Sequence, residues 1–125
     1  MYIIDTSVYV SAFLEDDINH EEWLKIIANI DWKINIPYLV FQEEITVLTY
    51  KHSKNLAWDF VDFILADDRF ILTNWESIEE ISFWKTIDNR ISYIDIIVVY
   101  IAIKYSIKLY TFDEDMEKLY KKFVL

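Results

Sequence analysis

Acidic residues stand at several points of the sequence: where an apolar run ends, where a helical pattern begins and within a helical pattern. They are Asp5, Glu43 with its neighbour Glu44, Asp95 and Asp113. In open α/β sheets, ligands bind in the crevice beyond the carboxyl ends of the strands. Carboxylates at such points are candidates for holding a divalent cation, because Mg²⁺ and similar hard cations prefer oxygen ligands. Each acid also has a structural interpretation, as a helix cap or a solvated surface group.

Asp5 closes the apolar strand pattern Tyr2 to Ile4 and is followed by Thr6 and Ser7. Any of these three polar residues could cap the next helix, because a side-chain oxygen there accepts a hydrogen bond from a free backbone N–H. Taken alone, Asp5 is better explained as a cap than as a ligand. Thr6 is interpreted as a structural residue.

Glu43 and Glu44 lie in a helical pattern that Pro37 is well placed to start, since its fixed φ suits a first helical turn. At about 100° per residue, apolar side chains flank both acids, so neither resembles a solvated surface residue. A buried carboxylate without a partner is costly, so one of the pair needs a cation, a hydrogen-bond donor or a metal opposite it. The alternative is that both lie at the edge of the apolar stripe and reach water.

Asp95 follows Ser92 at the spacing of a capping box, which by itself could explain this acid. The residues from Ile96 to Ala102 are apolar on nearly every face of the helix that follows. The N-terminus of this helix is therefore predicted to lie deep in the protein beside the sheet. Asp95 would then face the ends of the strands.

Asp113 repeats the arrangement at Asp5, since it also follows an apolar strand pattern, Lys108 to Tyr110. Thr111 or Asp113 is predicted to cap the helix that begins near Asp115.

The chain alternates short apolar runs with helical patterns, which favours a parallel sheet with right-handed crossovers. Strands are predicted near Tyr2–Ile4, Lys33–Ile36, Phe70–Leu72 and Lys108–Tyr110. Helices are predicted near Ser7–Leu14, His20–Ile30, Tyr38–His52, Leu56–Ala66, Trp75–Asp88, Tyr93–Tyr105 and Asp115–Lys122. With 125 residues, 54% of them hydrophobic, the chain fits one compact domain, residues 1–125.

The composition excludes several kinds of site. The chain has no cysteine, so carboxylates and two histidines are its only strong metal ligands. It has no glycine, which excludes a glycine-rich phosphate loop, a dinucleotide-binding fingerprint and a nucleophile elbow. Positions that normally use glycine are expected to be filled by residues such as Asn55, Asn74 and Asn89.

The formal net charge of −10, from 12 basic and 22 acidic residues, argues against a broad basic patch that grips phosphates. Nucleic acid itself is not excluded, since acids can bind a polyanion through divalent cations. The negative charge could also attract a basic partner chain. The densest apolar stretch, Ile94 to Ile103, is too short to span a bilayer, and the start of the chain lacks the features of a signal peptide. A cytoplasmic protein is therefore expected.

His20 and His52 stand at the start and the end of predicted helices and have no ligand partner at a suitable spacing. Both are interpreted as surface residues without a catalytic role. Trp23, Trp58 and Trp84 lie within helical patterns and are predicted to be core residues.

The order of the acids, from a first strand, a central helix, the start of a late helix and the end of a last strand, resembles the PIN domain family. The size of the chain resembles the VapC-type toxins of that family. In the second motif, Glu43 rather than Glu44 takes the position of the acid. The motifs are Ile3-Ile4-Asp5-Thr6-Ser7-Val8, Ile36-Pro37-Tyr38-Leu39-Val40-Phe41-Gln42-Glu43, Ile91-Ser92-Tyr93-Ile94-Asp95 and Leu109-Tyr110-Thr111-Phe112-Asp113.

This resemblance implies an α/β fold of three layers, α/β/α, around a central and mostly parallel sheet of four or five strands. It also implies a Mg²⁺ or Mn²⁺ cofactor and catalytic roles for the four motif acids, with Asp5, Asp95 and Asp113 as metal ligands and Glu43 beside them. The auxiliary residues that would orient carboxylates or waters are Ser7, Ser92, Thr111 and Asp115.

The resemblance further implies a metal-dependent endoribonuclease, the toxin of a type II toxin–antitoxin pair, with an RNA substrate, a cognate antitoxin and a homodimeric state. The alternative is a catalytically silent PIN-like protein that acts by binding a protein partner. A receiver-like phosphoacceptor is disfavoured because the middle strand ends in Thr73-Asn74 without an acid. A two-Asp phosphatase is disfavoured because Ser7 stands where its second Asp is needed.

Overall fold

The computed structural model describes residues 1–5, 8, 13–14, 20–30, 33–74, 78–88 and 90–124. Its strands are β1 Tyr2–Ile4, β2 Ile34–Pro37, β3 Phe70–Thr73 and β4 Lys108–Tyr110. The helices within these ranges are α1 His20–Asn29, α2 Tyr38–Lys51, α3 Lys54–Leu65, α4 Glu79–Lys85, α5 Tyr93–Lys104 and α6 Glu114–Phe123. The helix predicted over Ser7–Leu14 lies largely outside the described residues, as do Thr6 and Ser7 themselves.

The four strands form one parallel sheet in the order β3-β2-β1-β4. The first strand is therefore central, with β2 on one side and β4 on the other. The chain builds the sheet outward from β1 through β2 to β3 and then crosses to the opposite side for β4. The carboxyl ends of β1 and β4 consequently flank a topological switch point, where α/β sheets bind their ligands.

Helices cover both faces of this sheet. Successive residues of a strand point to opposite faces, and Ile3 and Ile4 of β1 belong to two separate cores. Ile4 packs with residues of β2, α1, α2 and α3. Ile3 packs with residues of α5 and α6. The predicted three-layer α/β/α architecture with a parallel sheet is confirmed.

The apolar helix α5 forms the centre of the second core. Its buried residues are Ile96, Ile97, Val98, Val99, Ile101 and Ala102, as expected for a helix that is apolar on nearly all sides. Ser92 caps it as predicted, since its Oγ accepts a hydrogen bond of 3.2 Å from the backbone N–H of Asp95. The N-terminus is less deep than predicted: Ser92 is exposed and Asp95 half-buried, because continuous burial begins only at Ile96.

Helix α4 is shorter than its sequence pattern indicated. It ends at Lys85, whereas the prediction extended to Asp88, and residues 75–77 at the other end lie outside the described part of the chain. Thr86 closes the last turn, because both its backbone N–H and its hydroxyl donate to the carbonyl oxygen of Phe83. This local bonding replaces continuation of the helix.

The positions expected to substitute for glycine were partly wrong. Asn55 lies inside α3, because Ser53 caps that helix by accepting a hydrogen bond of 3.0 Å from the N–H of Leu56. Among the described residues, the left-handed conformation occurs instead at Ser106, with φ 54°, just after α5. Asn89 lies outside the described residues.

The prediction that the tryptophans are core residues was wrong for two of them. Trp58 is 61% exposed and Trp84 is 43% exposed. The buried residues of α3 are Ala57, Phe60 and Ile64, a stripe that excludes the position of Trp58. The side chain of Trp23 is not among those that the structure describes.

Arg69 ties the end of α1 to the turn before β3. Its guanidinium donates hydrogen bonds to the carbonyl oxygens of Ile27 and Ile30, at 2.5 and 2.7 Å, and to the Asp67 carboxylate at 2.6 Å. The hydrogen bond from Arg69 holds the pKa of Asp67 below its ordinary value of 3.8. Asp67 therefore stabilises the fold as a carboxylate and fixes the guanidinium that bridges these elements.

We expect Asp67→Asn to lower the free energy of unfolding by about 1 kcal/mol at neutral pH, a modest value because both side chains are partly exposed. The folded-state pKa lies below the unfolded one, so this contribution is present above pH 3.8 and is lost as the pH falls through the folded-state pKa. Urea denaturation of both proteins from neutral to acidic pH would measure it. A difference that stays constant down to the most acidic pH would contradict this account.

Candidate functional site

The carboxyl ends of β1 and β4 bring Asp5 and Thr111 together. Ile4 and Tyr110 are register partners, and the backbone N–H of Asp5 donates to the Tyr110 carbonyl at 3.1 Å. Asp5 is only 4% exposed, and its Oδ2 accepts a hydrogen bond of 3.2 Å from the Thr111 hydroxyl. The same hydroxyl accepts the N–H of Asp113 at 2.9 Å. One hydroxyl group thus fixes Asp5 relative to Asp113.

Asp113 caps helix α6, as predicted. Its Oδ1 accepts hydrogen bonds from the backbone N–H groups of Asp115, at 2.8 Å, and Met116, at 3.1 Å. Those contacts hold one carboxylate oxygen in place. The described residues donate no hydrogen bond to its Oδ2, which is open to a ligand at this exposed position.

Asp95, in the first turn of α5, interacts electrostatically with acids from three other parts of the fold. Burial, together with the charges of Asp5, Asp113 and Glu43, raises its pKa to about 6, while a hydrogen bond from Ser92 opposes the rise. Charges act strongly on a pKa only at short range. The other three predicted acids thus each act on Asp95, and we call Asp5, Glu43, Asp95 and Asp113 the acid cluster.

The two glutamates of α2 differ in their surroundings. Glu44 is 6% exposed, and burial, followed by the charges of Glu43 and Asp5, raises its pKa to about 8. Glu43 is half-buried, and burial and the charge of Asp5 raise its pKa. Glu43 also raises the pKa of Asp95. Glu43 thus interacts electrostatically with both Asp5 and Asp95.

The prediction that neither glutamate is a solvated surface residue is confirmed, and the alternative that both reach water is wrong. Among the described residues, Glu44 has no hydrogen bond and no ion pair, and the cation that acts on it is Lys51, whose charge opposes the rise of the Glu44 pKa. With a pKa near 8 in the metal-free protein, its carboxyl group is mostly protonated at neutral pH, which lowers the cost of burying it.

Of the predicted auxiliary residues, Thr111 and Ser92 contact acids of the cluster, and Ser7 lies outside the described residues. Asp115 is exposed beside the cluster, which it contacts through its backbone N–H. His52 is exposed at the end of α2, and His20 is half-buried. As they stand, no three Asp, Glu or His side chains of the described ranges are arranged closely enough to hold a metal ion.

A family model of the PIN domain matches residues 2–122, almost the whole chain. The chain belongs to the PIN domain family. The resemblance carried by the four motifs is thereby confirmed. None of the described helices is long and apolar enough to cross a membrane.

The fold of this PIN domain is similar to that of a solved structure, Mycobacterium tuberculosis VapC20, which is described as a sarcin–ricin loop cleaving toxin. The TM-score is 0.82 at 18% sequence identity, over 95% of each chain. At that identity the likeness is one of fold. No curated protein matches the chain significantly in sequence.

Beside the acid cluster, this PIN domain has a feature that sequence reasoning missed. A cavity of about 560 Å³ is lined by Arg90 of the loop before α5 and by Lys118 and Lys122 of α6. The net negative charge of the chain gave no sign of this basic cavity, because a net charge does not show where basic side chains lie close together. The available signal was the pair of lysines four residues apart on one helix face.

Proposed function

We propose that this PIN domain is a metal-dependent endoribonuclease and the toxin of a type II toxin–antitoxin pair. The observation that carries the proposal is the acid cluster, in which carboxylates from four elements of the fold act on one another at the carboxyl ends of β1 and β4. Membership of the PIN domain family supports a nuclease. The fold shared with VapC20, a toxin that cleaves the sarcin–ricin loop, supports RNA as the class of substrate.

By its donor chemistry, though not by its present spacing, the cluster suits a Mg²⁺ or Mn²⁺ ion, which Asp5, Asp95 and Asp113 would hold after they draw together, with Glu43 acting directly or through water. Every donor is a carboxylate oxygen, the type of ligand that Mg²⁺ prefers. The pKa of Asp95 is raised in part by its acidic neighbours, and a cation among them would relieve that repulsion. When bound, the ion would activate a water for attack on a phosphodiester and offset the negative charge of the breaking bond.

The protein's own hydrogen bonds prepare these carboxylates for that role. The Thr111 hydroxyl holds Oδ2 of Asp5, and backbone N–H groups hold Oδ1 of Asp113. Ser92 holds the backbone of Asp95, because its Oγ accepts the Asp95 N–H. Carboxylates fixed in advance lose little conformational freedom when they take up a ligand. An RNA strand would lie across the open side of the cluster, where Asp113 is exposed.

The direct test is cleavage of a purified total RNA pool by the purified protein. We expect discrete fragments with Mg²⁺ or Mn²⁺ and intact RNA with EDTA. Cleavage that persists in EDTA would contradict a metal-dependent mechanism. Intact RNA under all three conditions would instead favour the catalytically silent binding protein.

The partners belong to the same proposal: a cognate antitoxin that supplies an Arg or Lys to the acid cluster, and a second copy of the chain in a homodimer. The net charge of −10 suits a basic partner segment. Co-expression with the product of an adjoining short reading frame should give a stable complex that no longer cleaves RNA. Light scattering would give the mass of the free protein and of the complex, and a monomeric free protein would contradict the homodimer.

Thr111→Val should lower the Mg²⁺ affinity of the cluster by about 10- to 100-fold, the usual loss when a residue that orients a metal ligand is removed. Valine keeps the shape of the side chain but cannot donate to Asp5 or accept from Asp113. The Mg²⁺ concentration for half-maximal thermal stabilisation would measure the change.

The matched control for that experiment is Thr46→Val. The Thr46 hydroxyl donates only within α2, to the Gln42 carbonyl at 3.0 Å, and the residue is exposed. Thr46→Val should therefore leave the Mg²⁺ midpoint unchanged. Equal midpoints for wild type and Thr111→Val would rule out the orienting role of Thr111.

A further inference from the structure

The cavity beside the acid cluster is basic in an otherwise acidic protein. Arg90, Lys118 and Lys122 line it together with two acids, Asp88 and Asp115, so the lining carries a formal charge of +1. The whole chain carries −10. At about 560 Å³, the cavity falls in the range of roughly 300–1,000 Å³ that is usual for ligand sites.

The three cations of this basic cavity are available to a ligand. All three are exposed, and none of them forms an ion pair or a hydrogen bond with another described residue. Some other cations are paired, since Lys104 contacts Glu79 at 2.9 Å and Lys121 contacts Glu117 at 2.8 Å, whereas others, such as Lys25 and Lys54, form no ion pair with a described residue. Lys118 and Lys122 lie one helical turn apart on the same face of α6, where their charges repel without a bound anion.

Two short connections join the basic cavity to the acid cluster. Arg90 precedes the cap residue Ser92 by two residues, a separation of about 7 Å at most. Asp115, on the cavity wall, donates its backbone N–H to Oδ1 of Asp113 at 2.8 Å. A ligand that lies over the acid cluster would therefore extend into the cavity.

We propose that the basic cavity binds backbone phosphates of the RNA strand next to the bond that is cut. This inference rests on the proposed function, which supplies RNA as the ligand. The acid cluster by itself repels a polyanion, and the cavity holds exposed cations near it in the chain: Arg90 lies two residues before Ser92, and Lys118 lies five residues after Asp113. Contacts to phosphates fix the register of a strand but do not read its bases, so the cavity contributes affinity and leaves sequence choice to other contacts.

The test compares the double variant Lys118→Gln/Lys122→Gln with the matched control Lys25→Gln/Lys54→Gln, which removes the same charge from exposed positions of α1 and α3. Binding of a fluorescent single-stranded RNA is measured by anisotropy in the Asp5→Asn background with Mg²⁺, over a series of salt concentrations. Cleavage kinetics are measured without Asp5→Asn.

The cavity variant should bind RNA about tenfold more weakly at low salt, and the slope of log K against log salt should be shallower by roughly 1.4, since each phosphate contact on a single strand contributes about 0.7. In cleavage, KM should rise by a similar factor while kcat is retained. The control should remain within twofold of its parent in every measurement.

Several outcomes would overturn the inference and can be told apart from failure of the proposed function. If the wild type cleaves RNA and both double variants have the same KM, the phosphate site is contradicted and the nuclease function is supported. If RNA binding depends on the cavity but no cleavage occurs, the nuclease function is contradicted and the binding site is supported. Cavity-dependent binding of a polyglutamate peptide in the absence of RNA binding would assign the cavity to an acidic protein segment.

Folding is controlled by the thermal midpoints, which should equal that of the wild type for both double variants because all four lysines are exposed. Arg90→Gln provides a second, independent variant, since Arg90 lies outside the helix that carries the lysines. It should raise KM and reduce the salt slope by roughly 0.7. An unchanged salt slope in Arg90→Gln would exclude Arg90 from the site.

Discussion

Asp5→Asn and Asp95→Asn should each reduce kcat/KM for metal-dependent RNA cleavage by at least about a hundredfold, because removal of a residue that only orients a ligand already costs about 10- to 100-fold. Asp5 is the common member of the cluster: its charge acts on Asp95, Glu43 and Glu44. Asn has the same shape but carries no charge, so the fold is retained while attraction for a cation is lost. Initial rates on a labelled RNA at saturating Mg²⁺ would measure the effect.

The matched control is Asp62→Asn, which removes an exposed carboxylate from α3, a helix that carries no member of the acid cluster. It should cleave at the wild-type rate. Thermal unfolding of all three variants in EDTA would show that none is misfolded. If Asp5→Asn and Asp95→Asn both cleave normally, the acid cluster is not the active site.

The positions of the strands could be predicted from sequence because each is a short apolar run bounded by polar residues. The predicted bounds of all four strands lie within one residue of those in the structure. The acids of β1 and β4 follow directly from this, since a residue that ends a parallel strand must lie at the carboxyl edge of the sheet. Helix caps such as Ser92 and Asp113 could also be predicted, because a cap depends on residues only two or three positions away.

Properties that depend on contacts between distant parts of the chain could not be predicted from the sequence. The hydrogen bond between Thr111 and Asp5 spans 106 residues, and no local pattern indicates it. The basic cavity combines Arg90 with α6 only after the second core has formed. Trp58 lies in a helical pattern like any core residue, and its exposure follows from which stripe of α3 meets the sheet.

Glu44→Gln should stabilise the metal-free protein at alkaline pH. The folded-state pKa of Glu44 is about 8, whereas its ordinary value is 4.5, so the folded protein binds more protons than the unfolded chain between these values. Stability is therefore lost as the pH rises from 4.5 through about 8. The two pKa values set an upper limit of about 5 kcal/mol, at about 1.36 kcal/mol per pH unit, and local relaxation should reduce the effect to a few kcal/mol.

Gln resembles the protonated Glu side chain in size and cannot ionise, so the variant should not lose this stability. Urea denaturation in EDTA should give equal free energies of unfolding for wild type and Glu44→Gln at acidic pH and a growing advantage for the variant as the pH rises. Glu22→Gln, at an exposed position of α1, is the matched control and should follow the wild type. Parallel curves for wild type and Glu44→Gln would contradict the raised pKa.

Mg²⁺ bound at the acid cluster should also change the effect of Glu44→Gln on stability. The charges of Glu43 and Asp5 contribute to the raised pKa of Glu44, and a cation held by the acid cluster would offset both. Saturating Mg²⁺ should therefore reduce the difference in free energy of unfolding between Glu44→Gln and the wild type at alkaline pH. The Asp5→Asn substitution weakens binding of the ion, so in that background Mg²⁺ should reduce this difference much less. If Mg²⁺ leaves this difference in free energy of unfolding unchanged when Asp5 is present, the ion does not bind near Glu44.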